Sequence, residues 1–159
     1  AVMAFTLLRR PSRAISLRLG DWLLAIAATG APLMVQPVAQ VVLPGWVGPV
    51  AIVFWLLGNL LQAGAKLSLR RSFGVAPANR GVKTQGLYRF VRHPMYAGYL
   101  WVHLGQLLMF PSLFNLAIYA IAWWAQILRM MAEEALLGQD PAYRAFAGQV
   151  RFRLVPGLY

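Results

Sequence analysis

The sequence predicts an all-α polytopic membrane protein of about four transmembrane helices with both termini cytoplasmic, and three observations carry that prediction. The 159 residues are 60% hydrophobic and only 12% charged, with a mean hydropathy of +0.59, whereas a soluble domain carries roughly 25% charge. Four apolar stretches reach or approach the length of about 20 residues that a helix needs to cross the hydrocarbon. All 15 Lys and Arg fall in three segments that lie on one side of a four-helix weave.

The stretches are residues 22–43, 46–64, 95–110 and 113–128. Lipid leaves backbone N–H and C=O groups without partners, and these runs lack the alternation of barrel strands, so each is read as a helix. Pro32 and Pro37 are expected to kink the first. Ahead of it stand Arg9, Arg10, Arg13 and Arg18; between the second and third, Lys66, Arg70, Arg71, Arg80, Lys83, Arg89 and Arg92; after the fourth, Arg129, Arg144, Arg151 and Arg153. The short turns at Pro44-Gly45 and Pro111-Ser112 carry no charge. Positive residues mark the cytoplasmic side, which places the termini and the central loop there. The apolar run after the basic lead exceeds a typical signal-peptide core, so it reads as an uncleaved first helix in a bacterial inner (cytoplasmic) membrane. The chain divides into a basic lead at 1–21 that can lie on the anionic leaflet, a first transmembrane hairpin at 22–68 and a core at 69–159.

Polar residues inside apolar spans generally face the bundle. Tyr96, Tyr99, His103 and Gln106 recur at helical spacing on the third helix and read as a pocket wall. Asn59, Gln62 and Lys66 on the second helix, and Gln36 with Gln40 on the first, read as interhelical hydrogen bonding. The chemistry concentrates between Gly86 and Gly98, in the run GLYRFVRHPMYAG. Proline disfavours helical dihedrals at His93 and suits the first helical position, so a helix starts at Pro94. Its free N–H groups, with Arg89 and Arg92 alongside, form an anion site at the membrane surface. Glu133-Glu134 are the only adjacent carboxylates in the chain and invite a cationic partner. A ligand bearing both a carboxylate and an ammonium would match the two ends.

Arg92-His93-Pro94-Met95-Tyr96-Ala97-Gly98, preceded by Gly86-Leu87-Tyr88-Arg89 and followed some 40 residues later by Glu133-Glu134, resembles the signature of integral-membrane methyltransferases. These are the isoprenylcysteine carboxyl methyltransferase and phospholipid methyltransferase superfamily. Ser72-Phe73-Gly74 and the tail from Tyr143 through Val150 and Arg153 to Pro156 are similar too, so the resemblance covers residues 69–159, with the first two helices matching only in being apolar. Leu87 and Arg151 depart from it, standing where many members have proline. The resemblance implies S-adenosylmethionine as cofactor, leaving as S-adenosylhomocysteine, in a cytosolic pocket built from the third and fourth helices, the loop before them and the tail. It implies that Gly86, Tyr88, Arg92, His93, Pro94 and Tyr96 hold the cofactor and that Glu133 and Glu134 engage its ammonium end.

The residues accommodate that chemistry. Methyl transfer from a sulfonium is an in-line displacement that demands alignment, for which well-held reactants gain roughly 7–11 kcal/mol. Arg129, Arg144 or Arg153 can hold an acidic acceptor, and Tyr96 or Tyr99 can set ring faces against the sulfonium. The acceptor is expected to be lipophilic or small and to enter sideways from the membrane lipid. Two other readings compete. Membrane sterol and steroid reductases share an Arg-His-Pro helix entry, which allows a small NADPH-dependent reductase, although its phosphates would favour arginines where this chain has Glu133 and Glu134. A four-helix transporter suits the length but lacks a carboxylate within the spans. No Gly-x-Gly or strand-helix alternation exists for a Rossmann-type methyltransferase. No metal is expected, because His93 and His103 do not share a helical face and cysteine is absent. No nucleic acid is expected, because topology already accounts for the basic residues.

Overall fold

The computed structural model describes residues 14–15, 18–37, 42–69, 78–79 and 81–158. Five α-helices carry the architecture: α1 (Leu19–Gly30), α2 (Val47–Leu69), α3 (Pro94–Met109), α4 (Leu113–Leu137) and α5 (Pro141–Gln149). Short 3-10 turns follow α1 at Ala31–Met34 and precede α3 at Gly86–Arg89. The only extended pairing among the described residues is a two-residue antiparallel bridge, β1 (Ala14–Ile15) with β2 (Ala78–Asn79). It sets the chain ahead of α1 beside the loop between α2 and α3.

Helices α2 and α4 are long and apolar enough to cross a membrane. Their large side chains point outward, Trp55, Leu56 and Leu60 on α2 and Leu116, Ile121 and Trp124 on α4. An apolar exterior of this kind is the inverse of a soluble surface and suits lipid. The expected first span differs most from its prediction. Instead of one helix over 22–43, α1 stops at Gly30 and the chain passes through the 3-10 turn. Pro32 has no N–H to continue the helix and its ring excludes the carbonyl one turn back. Gln36 follows in extended chain; Gln40 lies outside the described residues. The Gln36 backbone is sealed by Asn115, whose side chain accepts from its N–H at 3.1 Å and donates to its carbonyl at 2.9 Å. The fourth helix runs nine residues beyond its expected end, and that extension carries the carboxylates inward to the site.

Small residues bring α2 and α3 together as an antiparallel pair. A Cβ on Gly58 would sit 2.6 Å from the Gly98 carbonyl oxygen, one on Gly98 2.6 Å from Gln62 Cγ, and one on Gly105 2.7 Å from the Ala51 carbonyl oxygen. Where lipid supplies no hydrophobic drive between helices, such close backbone approach is how packing attraction accumulates. Gln62 therefore serves the helix interface by packing. Asn59 does not, because its amide bonds the Trp55 carbonyl of its own helix at 2.8 Å. Helix α1 packs on α4, with Ala25 and Ala28 buried and Gln126 Nε2 3.4 Å from the Ala28 carbonyl. Ser112 caps α4 by accepting from the Asn115 N–H at 3.0 Å, and Asp140 caps α5 by accepting from the Ala142 N–H at 2.9 Å. Helices α3 and α4, by contrast, approach through side chains: Tyr119 donates to Gln106 Oε1 at 2.7 Å at one end, and aromatic rings fill the middle.

Candidate functional site

The site forms where α3 begins, α4 ends and the tail folds back. Pro94 occupies the first helical position, and the preceding residues pair with the tail. The Arg92 N–H donates to the Phe152 carbonyl and the His93 N–H to the Arg153 carbonyl, both at 2.9 Å. Arg92 Nη2 donates to the Arg151 carbonyl at 2.9 Å. The N–H groups of Arg92 and His93, just ahead of the helix, and one arm of the Arg92 guanidinium are thus spent on the chain's own carbonyls.

The two adjacent glutamates face different surroundings. Glu134 is ringed by nitrogen donors: Arg92 Nη1 and His93 Nε2 each lie 3.0 Å from Oε1, and Arg153 Nε lies 2.9 Å from Oε2. The Tyr143 hydroxyl adds a longer contact of 3.4 Å. Glu134 stands beyond the apolar part of α4, which runs over residues 113–128. Its burial alone would raise the carboxyl, but the hydrogen bonds from His93 and Arg153 and the charges of His93 and Arg92 outweigh it, and the group is held down to about 2. Glu133 instead accepts from the Tyr96 hydroxyl at 3.1 Å. The Arg129 guanidinium lies over the Tyr96 ring, 5.6 Å from its centroid. Two tyrosines outside the spans feel these carboxylates. Tyr88 is raised by burial and then by the Glu133 charge, and Tyr143 by burial and then by the Glu134 charge.

A small core supports the arrangement from below. Tyr88, Tyr143 and Phe146 are buried against Ala65, which joins the end of α2, the turn before α3 and α5. Gly86 opens that turn at φ +66, where a Cβ would also collide with the Ser68 hydroxyl, so glycine is needed twice over. Beside it lies a cavity of about 540 Å³ lined by Leu67, Ser68, Val82, Lys83, Thr84, Gln85 and Gly86. Of the residues expected to bind cofactor, only Gly86 lines that cavity.

The structure therefore brings together Tyr88, Arg92, His93, Pro94, Tyr96, Arg129, Glu133, Glu134 and Arg153. Arg144 is exposed on α5 and takes no part in the ion-pair cluster. Sequence reasoning missed the Tyr143 contact and the backbone pairing of 92–93 with 152–153. It also missed Tyr119 and Trp123, whose rings lie 4.8 and 6.1 Å from His103. The spacing Asn115, Tyr119, Ala122, Gln126 marks one buried face of α4 and was a legible signal for Tyr119.

A sequence model of the isoprenylcysteine carboxyl methyltransferase family matches residues 50–139, more than half of the chain. The chain belongs to that family. The match takes in most of α2 and stops before α5, so it begins earlier than the motif resemblance suggested and leaves the tail outside. Protein-S-isoprenylcysteine O-methyltransferase A of Arabidopsis thaliana is 27% identical over 100 residues, covering 59% of this chain and 51% of the relative. The Schizosaccharomyces pombe protein-S-isoprenylcysteine O-methyltransferase is 29% identical over 93 residues, covering 55% of this chain and 39% of its own length. The chain thus spans about half or less of the curated relatives it matches. Family membership and the outward-facing apolar helices together make it an integral membrane protein. The matched segment contains the whole of the Arg92-to-Glu134 ion-pair and tyrosine arrangement except Arg153 and Tyr143.

Proposed function

We propose that the protein transfers a methyl group from S-adenosylmethionine to the carboxylate of a lipophilic acceptor of the S-isoprenylcysteine type, at the cytoplasmic face of the membrane. The observation that carries this reading is the contrast between the glutamates: Glu134 is committed to Arg92, His93 and Arg153, while Glu133 meets a tyrosine hydroxyl beside the Arg129 guanidinium. The donor set suits the cofactor. Glu133 offers a carboxylate for an ammonium, and the faces of Tyr96 and Tyr99 offer quadrupole attraction to a sulfonium. When bound, S-adenosylmethionine supplies an activated methyl group. A carboxylate acceptor is already a nucleophile, so the protein needs no base and its task is alignment.

Each side chain then has a distinct role. Glu133 orients the cofactor's ammonium end, with Tyr96 holding the carboxylate in place. Arg129, whose guanidinium lies over the Tyr96 ring, holds the acidic acceptor. The Glu134 knot keeps the start of α3, the end of α4 and the tail in register. The β1–β2 bridge and the pairing of 92–93 with the tail draw together the described parts of the three basic segments, which supports a cytoplasmic orientation. On this reading α1 and α3 complete a weave of four spans in a bacterial inner membrane.

Calorimetric titration of the purified protein with S-adenosylhomocysteine tests the site. Wild type is expected to bind, and Glu133→Gln to weaken binding roughly 10- to 100-fold, the usual range for a hydrogen bond to a charged group. Failure of wild type to bind, or unchanged affinity in the variant, overturns the assignment. A larger thermal shift with NADPH than with S-adenosylhomocysteine would turn the reading toward a reductase.

A further inference from the structure

Deeper between α3 and α4 lies a buried imidazole that the methyl-transfer chemistry does not use. His103 is 7% exposed and sits among three rings: Tyr99 stacked at 6.2 Å, Tyr119 at 4.8 Å and Trp123 edge-on at 6.1 Å. Its Nδ1 is buried without a hydrogen-bond partner. Leaving such a group unpaired is costly, so an unmatched nitrogen in a packed interior asks for a partner from outside the chain. The ladder reaches the site without a break, since Tyr99 also meets Tyr96 edge-on at 6.3 Å and Tyr96 bonds Glu133. Seven residues of helix separate Tyr96 from His103, about 10 Å along the axis at 1.5 Å per residue.

We infer that His103 reads a hydroxyl on the lipophilic acceptor, placed about 10 Å along the molecule from the atom that receives the methyl group. The inference rests on the methyltransferase reading above. The surroundings choose the chemistry. The ladder contributes no carboxylate or cation at His103, so a charged group there would be desolvated without compensation. A hydroxyl both donates and accepts, so it satisfies Nδ1 in either tautomer. Aromatic faces on both sides accommodate the apolar chain that bears it.

The test uses the purified full chain in lipid nanodiscs, methyl-labelled S-adenosylmethionine, and a series of N-acetyl-S-alkyl-cysteines of increasing tail length, each paired with its terminal-hydroxy analogue. Wild type is expected to favour the hydroxy analogue at one tail length by about three- to tenfold in kcat/KM, as one recovered hydrogen bond allows. His103→Phe should reduce that ratio to one or below, and His103→Asn, whose amide lies near the Nδ1 position, should retain part of it. If His103→Phe fails to fold, His103→Gln replaces it, because its amide lies away from the Nδ1 position. Equal labelling of plain and hydroxy acceptors at every length overturns the role of His103 and leaves the methyltransferase reading standing, as does a preference that survives His103→Phe. Labelling of no acceptor overturns both.

Discussion

Replacing Glu134 by glutamine tests whether this carboxylate is a structural knot or a ligand group. The side chains of Glu134 and Arg92 are 13% and 14% exposed, so their pair is mostly shielded from water, whereas Arg153 at 36% is partly screened. Removing one partner of a buried ion pair costs about 3–5 kcal/mol, while a half-exposed pair adds about 0–1 kcal/mol. Glutamine keeps the shape and one acceptor, which puts the expected loss near the lower end, about 3 kcal/mol. For a chain of this size each kcal/mol moves the midpoint by about 2–4 °C, so Glu134→Gln should melt about 6–12 °C below wild type at pH 7. Glu133→Gln, whose amide oxygen can still accept from the Tyr96 hydroxyl, should melt within a few degrees of wild type. The difference must also depend on pH in a definite direction. The carboxyl is held at about 2 in the folded protein against 4.5 ordinarily, so its stabilisation is full above about 4.5 and disappears as pH falls toward 2. The gap between wild type and Glu134→Gln should close over that interval. Differential scanning fluorimetry in one detergent across pH measures it. Equal melting of wild type and Glu134→Gln at pH 7, or a gap that widens on acidification, would refute the reasoning.

Other perturbations probe separate parts of the molecule. Tyr96→Phe removes the hydroxyl that holds Glu133 and should weaken S-adenosylhomocysteine about three- to tenfold by calorimetry with the melting point little changed, since one hydrogen bond contributes about 0.5–1.5 kcal/mol. Gly58→Ala drives a methyl into backbone atoms of Gly98 and Val102 at 2.6 Å and should lower the melting temperature more than Gly48→Ala, where nothing lies within 4 Å of the added carbon. Asn115→Ala strips the partners from the Gln36 backbone and the Phe110 carbonyl and should cost about 2–3 kcal/mol, read as a lower melting temperature. Asn115→Asp keeps the acceptor but not the donor and should recover only part of that loss.

Much of this was legible in the chain because bilayer chemistry constrains it so tightly. Hydrocarbon forces apolar runs to be helices, and proline at position 94 starts one wherever the rest of the fold lies; α2, α3 and α4 begin within one residue of where their sequences place them. The first span was misjudged because apolarity continues past Gly30 while the backbone does not: Pro32 ends the helix, and the residue that repairs the break, Asn115, is 79 positions away from Gln36. Asn59 and Gln62 fall on the same predicted face, yet only Gln62 reaches α3, because a short amide can bond its own helix as readily as a neighbour.

The sequence by itself determined the membrane class and the residue types of the candidate site, since each follows from local composition and spacing. Only the tertiary structure decided what adjacent Glu133 and Glu134 each touch. Neighbours on a helix point about 100° apart, so what each meets is set by how α3, α4 and the tail close around them. The same closure consumed the cations of Arg92 and Arg153 and stranded the His103 nitrogen among rings, because which charges pair and which polar atoms go without depends on contacts between segments that lie far apart along the chain.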